Sequence, residues 1–302
     1  MAKADSTRGA NASRAPQGTR STRASGSGNR PGGDERAAAL LKLFNILWRN
    51  PRMRRYALPV VALAGAFFWI TASAGGNETI ESFSQAKKLL EDKVYADHRV
   101  TFYCRANYNA KKEITLPAGF TTPKHEKRAH RIEWEHVVPA ENFGRFFSEW
   151  RDGSAKCIDD KGRGFKGRKC AEKTNHEYRL MQSDLYNLYP AIGAVNALRS
   201  NYNYAMLQGV PVTFGSCPMK IADGKAEPPE YTRGAIARTT LYMAESYPKF
   251  RISNQQRQLM GAWSRMYPPD AWECERARRI AAIQGNENKI VVEACRAANL
   301  WK

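Results

Sequence analysis

From Tyr56 to Gly76 the chain runs 21 residues without a charge, directly after Arg52, Arg54 and Arg55. No other feature constrains the chain as strongly. A basic flank before an apolar run holds the N-terminus in the cytoplasm and sends the downstream chain across the membrane. Three fates are open to the run. It is nearly long enough to span a bilayer as a signal-anchor. Ala72-Ser73-Ala74, after the apolar stretch from Ala57 to Ile70, has the small-residue pattern of a signal-peptidase site. A start at Met53 would place Met-Arg-Arg, apolar region and cleavage site at ordinary signal-peptide lengths. A buried core helix is the third fate. In either of the first two, residues 77 to 302 are expected outside the cytoplasm, periplasmic or secreted, or tethered to the inner membrane by the anchor.

The run divides the chain. Residues 4 to 36 hold Ser, Gly, Ala, Arg and Pro with no aromatic or large aliphatic side chain, too little apolar surface to offset the entropy of ordering. Residues 1 to 55 are therefore expected to be a disordered basic region, 56 to 76 a signal peptide or signal-anchor, and 77 to 302 the folded domain. Charge follows the same division. The net +19 comprises 12 Lys/Arg against 3 acids in residues 1 to 56, and 36 against 26 beyond. A polyanion, meaning nucleic acid or an anionic membrane, is the default partner of such an excess. Only about half of it belongs to the part expected to fold. A lipid-surface protein rests on the N-terminal charges alone.

All six cysteines (Cys104, Cys157, Cys170, Cys217, Cys274, Cys295) come after the apolar run, and no CxxC pair is present. An even count in an exported domain points to disulfides rather than a Cys-rich zinc site. Fifteen pairings are open. Cys157 and Cys170 flank one polar loop and Cys274 and Cys295 bracket two short helices, which favours 157 with 170, 274 with 295, and 104 with 217.

Ile80, Phe83, Ala86, Leu89 and Leu90 fall at helical spacing and predict an amphipathic helix over 79–91. Residues 99–105 and 130–138, rich in β-branched and aromatic side chains, predict short strands. The Gly-rich, basic segment between Cys157 and Cys170 reads as an exposed loop. Ser183 offers an N-cap for a helix through DLYNLYPAIGAVNALRSNY, kinked or divided at Pro190. Helices are also expected over 230–246, from Ser253 to about Met266, from Asp270 to about Gln284, and from Asn286 to about Ala298. The fold class is α+β: a mostly helical domain with a few strands near its middle, expected as a monomer.

Glu133-Trp134-Glu135-His136-Val137-Val138-Pro139 is followed, 51 residues after His136, by Asn187. Phosphodiester hydrolysis needs an activated water, a cation to neutralise the leaving oxygen, and donors that hold the phosphate. A histidine beside a carboxylate at a strand end supplies a base and a hard ligand. An asparagine oxygen would complete a set suited to Mg²⁺, which keeps several waters. Each pair alone is common on protein surfaces. The wider sequence, however, closely resembles the bacterial endonuclease I family, exported non-specific nucleases with a ββα-metal (His-Me finger) core. The resemblance covers about residues 79 to 298 and is carried by RIEWEHVVPAENFG, YRLMQSDLYNLYPAIGAVNALRSNY, FGSC and PPEYTRGAIARTTLYM.

That resemblance implies that His136 is the general base, and that Glu135 and Asn187 hold one divalent cation, Mg²⁺ with Mn²⁺ or Ca²⁺ as alternatives. It implies cleavage of DNA, with RNA left open, to 5′-phosphate products and without a small-molecule cofactor. Glu133 shares the strand face of Glu135 and is assigned either a site role or a salt bridge to Arg131 or a neighbouring Lys. Relatives often carry a phosphate-contacting arginine before the cysteine matching Cys157, where this chain has Lys156, which lacks the bidentate fork. Acids common in relatives are replaced by Ala194 and Ala235. These departures support the rival reading, a catalytically silent exported DNA-binding or uptake protein. Candidate DNA-backbone contacts are Lys156, Arg163, Lys166, Arg168, Arg199, Arg233 and Arg238, together with Lys161 and Lys169 on the same basic loop.

Overall fold

A computed structural model describes Lys42, Asn45 and residues 75 to 301. The chain separates into two compact units, residues 1–68 and 69–302. Of the first, only Lys42 and Asn45 are described, both helical and exposed. The expectations for residues 1 to 55 therefore lie almost wholly outside the described residues, as do those for 56 to 74. Among the described residues, no helix is long and apolar enough to cross a membrane.

The first described element of the second unit is α1, Phe83–Leu89, continued by a π turn, Leu90–Val94. The helix starts later than the apolar spacing predicts because Ser82 caps it, its hydroxyl accepting from Gln85 N. A short helix α2, Glu126–Ala129, leads into β1, Ile132–His136. Residues 99–105 form no strand. Thr101 N donates to Ala106 O and the Thr101 hydroxyl accepts from Ala106 N, closing a turn in which Arg105 has φ +50. Side-chain bonding of this kind competes with strand pairing and wins here.

Three short helices come next: α3 (Ala140–Gly144), α4 (Ser148–Arg151) and α5 (Arg168–Thr174). The Cys157–Cys170 disulfide ties the segment between the last two. The basic loop thus ends earlier than expected, with Arg168 and Lys169 already in α5. Helix α6, His176–Gln182, is capped by Asn175.

The largest departure from expectation lies between Ser183 and Arg199. In place of a helix kinked or divided at Pro190 the chain makes a 3₁₀ turn (Leu185–Asn187), strand β2 (Leu188–Ile192) and helix α7 (Gly193–Arg199). Strand β2 pairs antiparallel with β1, placing Pro190 opposite Trp134 and Tyr189 opposite Glu135. Each strand of a two-stranded sheet is an edge, so the missing N–H of Pro190 costs little. Its carbonyl still accepts from Phe102 N at 2.7 Å. The cap is Asp184 rather than Ser183, whose hydroxyl is buried with no partner among the described residues.

Asp184 is fully buried and organises this corner. Its carboxylate accepts from Tyr186 N, Gln284 Nε2, Tyr242 Oη, Tyr247 Oη and, at 3.3 Å, Asn77 N. Five donors satisfy an anion that burial alone would push toward the neutral form.

Beyond α7 lies a small sheet of β3 (Asn203–Tyr204), β4 (Lys220–Ala222) and β5 (Lys225–Glu227), ordered β3-β5-β4. Four helices complete the unit: α8 (Glu230–Ser246), α9 (Asn254–Met266), α10 (Ala271–Gln284) and α11 (Lys289–Ala297). Ser253, Asp270 and Asn288 cap the last three, and Gly285 ends α10 at φ +84, where a side chain would be strained. Two apolar cores result. One packs α1, α6 and α10 around Leu90, Phe143, Met181 and Ile280; the other packs α7, α8 and α9 around Val195, Phe214, Ile236 and Trp263. Disulfides Cys104–Cys217 and Cys274–Cys295 fasten the rest, and no described cysteine is free. The described residues are a mixed α+β domain.

Candidate functional site

The last two residues of β1 open into a cleft of about 280 Å³, lined by Phe83, Glu135, His136, Arg168 and Asn196 among others. A larger cavity of about 520 Å³ lies between Tyr189, Trp272, Arg238 and Arg276. There the Arg238 guanidinium is spent on Glu273, two bonds of 2.6 Å, and on backbone carbonyls. The smaller cleft, where Glu135, His136 and Asn196 each keep one polar atom without a hydrogen bond among the described residues, is the candidate site.

His136 is 7% exposed, and its Nε2 lies 2.8 Å from Gln182 O. A carbonyl only accepts, so Nε2 carries the proton and Nδ1 keeps a free lone pair. The ring lies against Phe83, centroids 5.0 Å apart, with the edge of Phe143 beyond. Burial, with the charge of Arg168, lowers the imidazole pKa to about 3. The residue is therefore a neutral base at physiological pH.

Glu135 is 2% exposed and uses one oxygen for support. Its Oε1 accepts from Tyr103 Oη at 3.1 Å and Arg199 Nη1 at 2.6 Å. Among the described residues Oε2 has no donor. Burial raises this carboxyl to about 7 against the pull of Arg199 and Tyr103. Arg199 also reaches back from α7 to the carbonyls of His136 and Val137, fixing the end of β1.

Asn187 does not face this cleft. It is fully buried, Oδ1 accepting from Val138 N at 2.7 Å and Nδ2 donating to Val138 O at 3.0 Å. Both ends of its amide are consumed in holding the chain that leaves β1, and it sits on a 3₁₀ turn rather than a helix. Two asparagines line the cleft: Asn196, on α7, and Asn201, whose Nδ2 donates to Glu141 Oε2 at 2.7 Å; of the two, Asn196 is the one bonded to β1. The Asn196 Nδ2 donates to Glu133 Oε2 at 3.0 Å, leaving Oδ1 with no donor among the described residues. Glu133 is held in turn by Arg128, at 2.8 and 2.5 Å, and among the described residues not by Arg131 or a lysine.

The basic candidates divide sharply. Arg199 and Arg238 are each 1% exposed and locked in ion pairs with Glu135 and Glu273, so neither reaches the surface. Arg233 is spent on Glu227 and Tyr267. Lys156 is exposed but lies outside the cleft lining, and Arg163 is paired with Asp159. Arg168, 12 residues after Lys156, lines the cleft beside His136. Lys161, Lys166 and Lys169 are exposed near it in sequence and enter no salt bridge among the described residues. Ala194 is fully buried in the second core, where an acid would be an unpaired charge, and Ala235 lines the larger cavity.

Sequence reading missed Asn196 and Phe83. Asn196 stands in the same stretch as Asn187, and what separates them is strand β2, with Pro190 at its centre, after which α7 begins at Gly193. Phe83 reads as a core position of an amphipathic helix and gives no sign of facing a site.

A buried imidazole, a carboxylate, amide oxygens and a guanidinium line one cleft, groups chemically able to hydrolyse an anionic ester. The sequence profile of Endonuclease I matches residues 81–295. The chain belongs to the endonuclease I family. An extracellular deoxyribonuclease of Aeromonas hydrophila is 41% identical over 222 residues, 71% of this chain and 91% of the relative. A periplasmic deoxyribonuclease of the same species is 41% identical over 249 residues, covering 80% and 98%. An Endonuclease-1 of Buchnera aphidicola subsp. Acyrthosiphon pisum is 39% identical over 225 residues, covering 72% and 83%.

Proposed function

We propose that this endonuclease is an exported, cation-dependent enzyme that hydrolyses phosphodiester bonds of DNA with little reading of sequence. The observation that carries the chemistry is the pairing of commitments in the cleft. His136 is tied at Nε2 and open at Nδ1. Glu135 is tied at Oε1 and Asn196 at Nδ2, each with one oxygen left over. A carboxylate and an amide oxygen beside water fit Mg²⁺, or Mn²⁺ in its place, since such ions keep most of their waters and take few protein ligands. A bound cation would supply stabilisation of charge on the leaving 3′ oxygen.

Nδ1 of His136 takes a proton from the water that attacks phosphorus. Arg168 offers two donors to a non-bridging phosphate oxygen, and the leaving oxygen is protonated from solvent to give a 5′-phosphate product. Phe83 and Phe143 hold the imidazole plane. The deoxyribonuclease names of the relatives support DNA as substrate; their extracellular and periplasmic names, with three disulfides, support export. Contacts to backbone rather than base edges would give affinity without sequence selection.

Nicking of supercoiled plasmid by the purified protein, with and without EDTA, tests the reading. Chelation should abolish nicking and added Mg²⁺ restore it. His136→Ala should lower turnover by roughly 10² to 10⁴ with DNA binding retained. Cleavage at the wild-type rate by that variant would refute the assignment. A parallel assay on single-stranded RNA decides whether RNA is also cut.

A further inference from the structure

An asparagine is an ambiguous ligand. Its amide has an oxygen that attracts a cation and an NH₂ that repels one, nearly equal in shape and exchanged by a half-turn of the side chain. Something must choose the end that faces the ion. At Asn196 the choice is made by Glu133. Its Oε2 lies 3.0 Å from the amide nitrogen, and a carboxylate cannot donate, so the NH₂ must point at Glu133 and Oδ1 at the cleft. Glu133 is itself fixed. Arg128 grips both its oxygens, Nε to Oε1 at 2.8 Å and Nη2 to Oε2 at 2.5 Å. Its place against α7 is left open by Gly193, where a Cβ would stand 2.5 Å from Arg128 O and 2.9 Å from Glu133 Oε1.

Resting on the cation reading given above, we propose that Glu133 is a positioning residue that sets the polarity of the Asn196 amide, with Arg128 and Gly193 keeping it in place. It touches neither substrate nor cation. The alternation of β1 sends Glu133 and Glu135 to the same face, so one strand carries both a ligand and the group that orients the second ligand. The fork of Arg128 also neutralises Glu133, which makes it a strut rather than an extra negative charge for the ion.

Calorimetric titration of the full-length protein with Mg²⁺ in the absence of DNA reads this directly. Partners that orient metal ligands are typically worth about 10- to 100-fold in affinity, so Glu133→Leu should weaken binding by about that factor. Glu133→Gln, which keeps an acceptor for the Asn196 NH₂ but loses the charge, should stay within about threefold of wild type. A loss with Gln as large as with Leu would mean that Glu133 acts by charge, and would overturn the proposal. The decisive background is Asn196→Asp, whose carboxylate has no wrong end. There, adding Glu133→Leu should leave affinity unchanged or raise it, because it removes a repelling neighbour. A further 10-fold loss in that background would also overturn it. The underlying reading is checked separately by Glu135→Ala and Asn196→Ala. If neither weakens Mg²⁺ binding, the cation site itself is wrong. If both do while Glu133→Leu binds as wild type does, only the positioning role fails.

Discussion

At the scale of single residues, the two asparagines show what sequence carries and what it does not. Glu135 and His136 are adjacent, so their collaboration is legible in the chain itself. The partner oxygen comes from elsewhere, and the stretch from Asp184 to Asn201 offers three asparagines within 15 residues. Chemistry does not rank them, because each carries the same amide. Hydrogen bonding separates the first from the other two: Asn187 spends both ends on Val138, whereas Asn196 spends one on Glu133 and Asn201 one on Glu141, and only Asn196 is tied to β1. Asn187 and Asn196 should therefore fail differently. Asn187→Ala leaves a buried N–H and carbonyl of Val138 unpaired and should destabilise the fold by about 1 to 3 kcal/mol, while the Mg²⁺ affinity of the folded protein stays near wild type. Asn196→Ala should keep stability within about 0.5 kcal/mol and lower Mg²⁺ affinity at least tenfold. Denaturant unfolding and metal titration on both variants check this; the reverse pattern would return the ligand role to Asn187.

At the scale of elements, local signals are legible where one element satisfies itself. The helix 230–246 is found at those bounds, and Ser253 and Asp270 cap the next two, because apolar period and cap lie in one short window. Elements that exist only by pairing are hidden. Strand β2 has a proline at its centre and flanks that read as helical, and it becomes a strand because β1 is there to pair with it. Conversely, residues 99–105 have strand composition but no neighbour for more than an isolated bridge at Val100. The disulfide Cys157–Cys170 acts at this scale too. It closes a loop of 13 residues in sequence separation directly onto the start of α5, where Arg168 lines the cleft. Replacing both cysteines with serine should cost up to about 3 kcal/mol in the chain-entropy model. It should also raise KM for DNA severalfold as Arg168 loses its fixed position, with a smaller change in kcat. Thermal unfolding and plasmid-nicking kinetics measure the two effects. An unchanged KM would show that α5 holds Arg168 without the bridge.

At the scale of the whole molecule, the charge that first suggests nucleic acid proves a poor guide to where it would bind. Of the excess of 19, nine charges precede residue 57, and several arginines of the domain face inward. Arg199, Arg233 and Arg238 neutralise Glu135, Glu227 and Glu273 and so serve the fold. Of the basic residues singled out in the sequence, those exposed and in no salt bridge among the described residues are Arg168 in the cleft, Lys156, and the lysines at 161, 166 and 169. Counterion release turns this into a measurable number, since log K falls against log salt with a slope of about 0.9 per neutralised phosphate. With His136→Ala as a cleavage-dead background, Lys161→Gln, Lys166→Gln and Lys169→Gln together should reduce that slope by about 1 to 3. Arg163→Gln, although on the same loop and largely exposed, should change it by less than any one of the lysines, because Asp159 already holds its charge at 2.8 Å. Fluorescence anisotropy of a short duplex between about 50 and 200 mM salt gives the slopes. If the triple lysine variant keeps the wild-type slope, the phosphates are met by another face, and the loop's positive charge serves solubility rather than recognition.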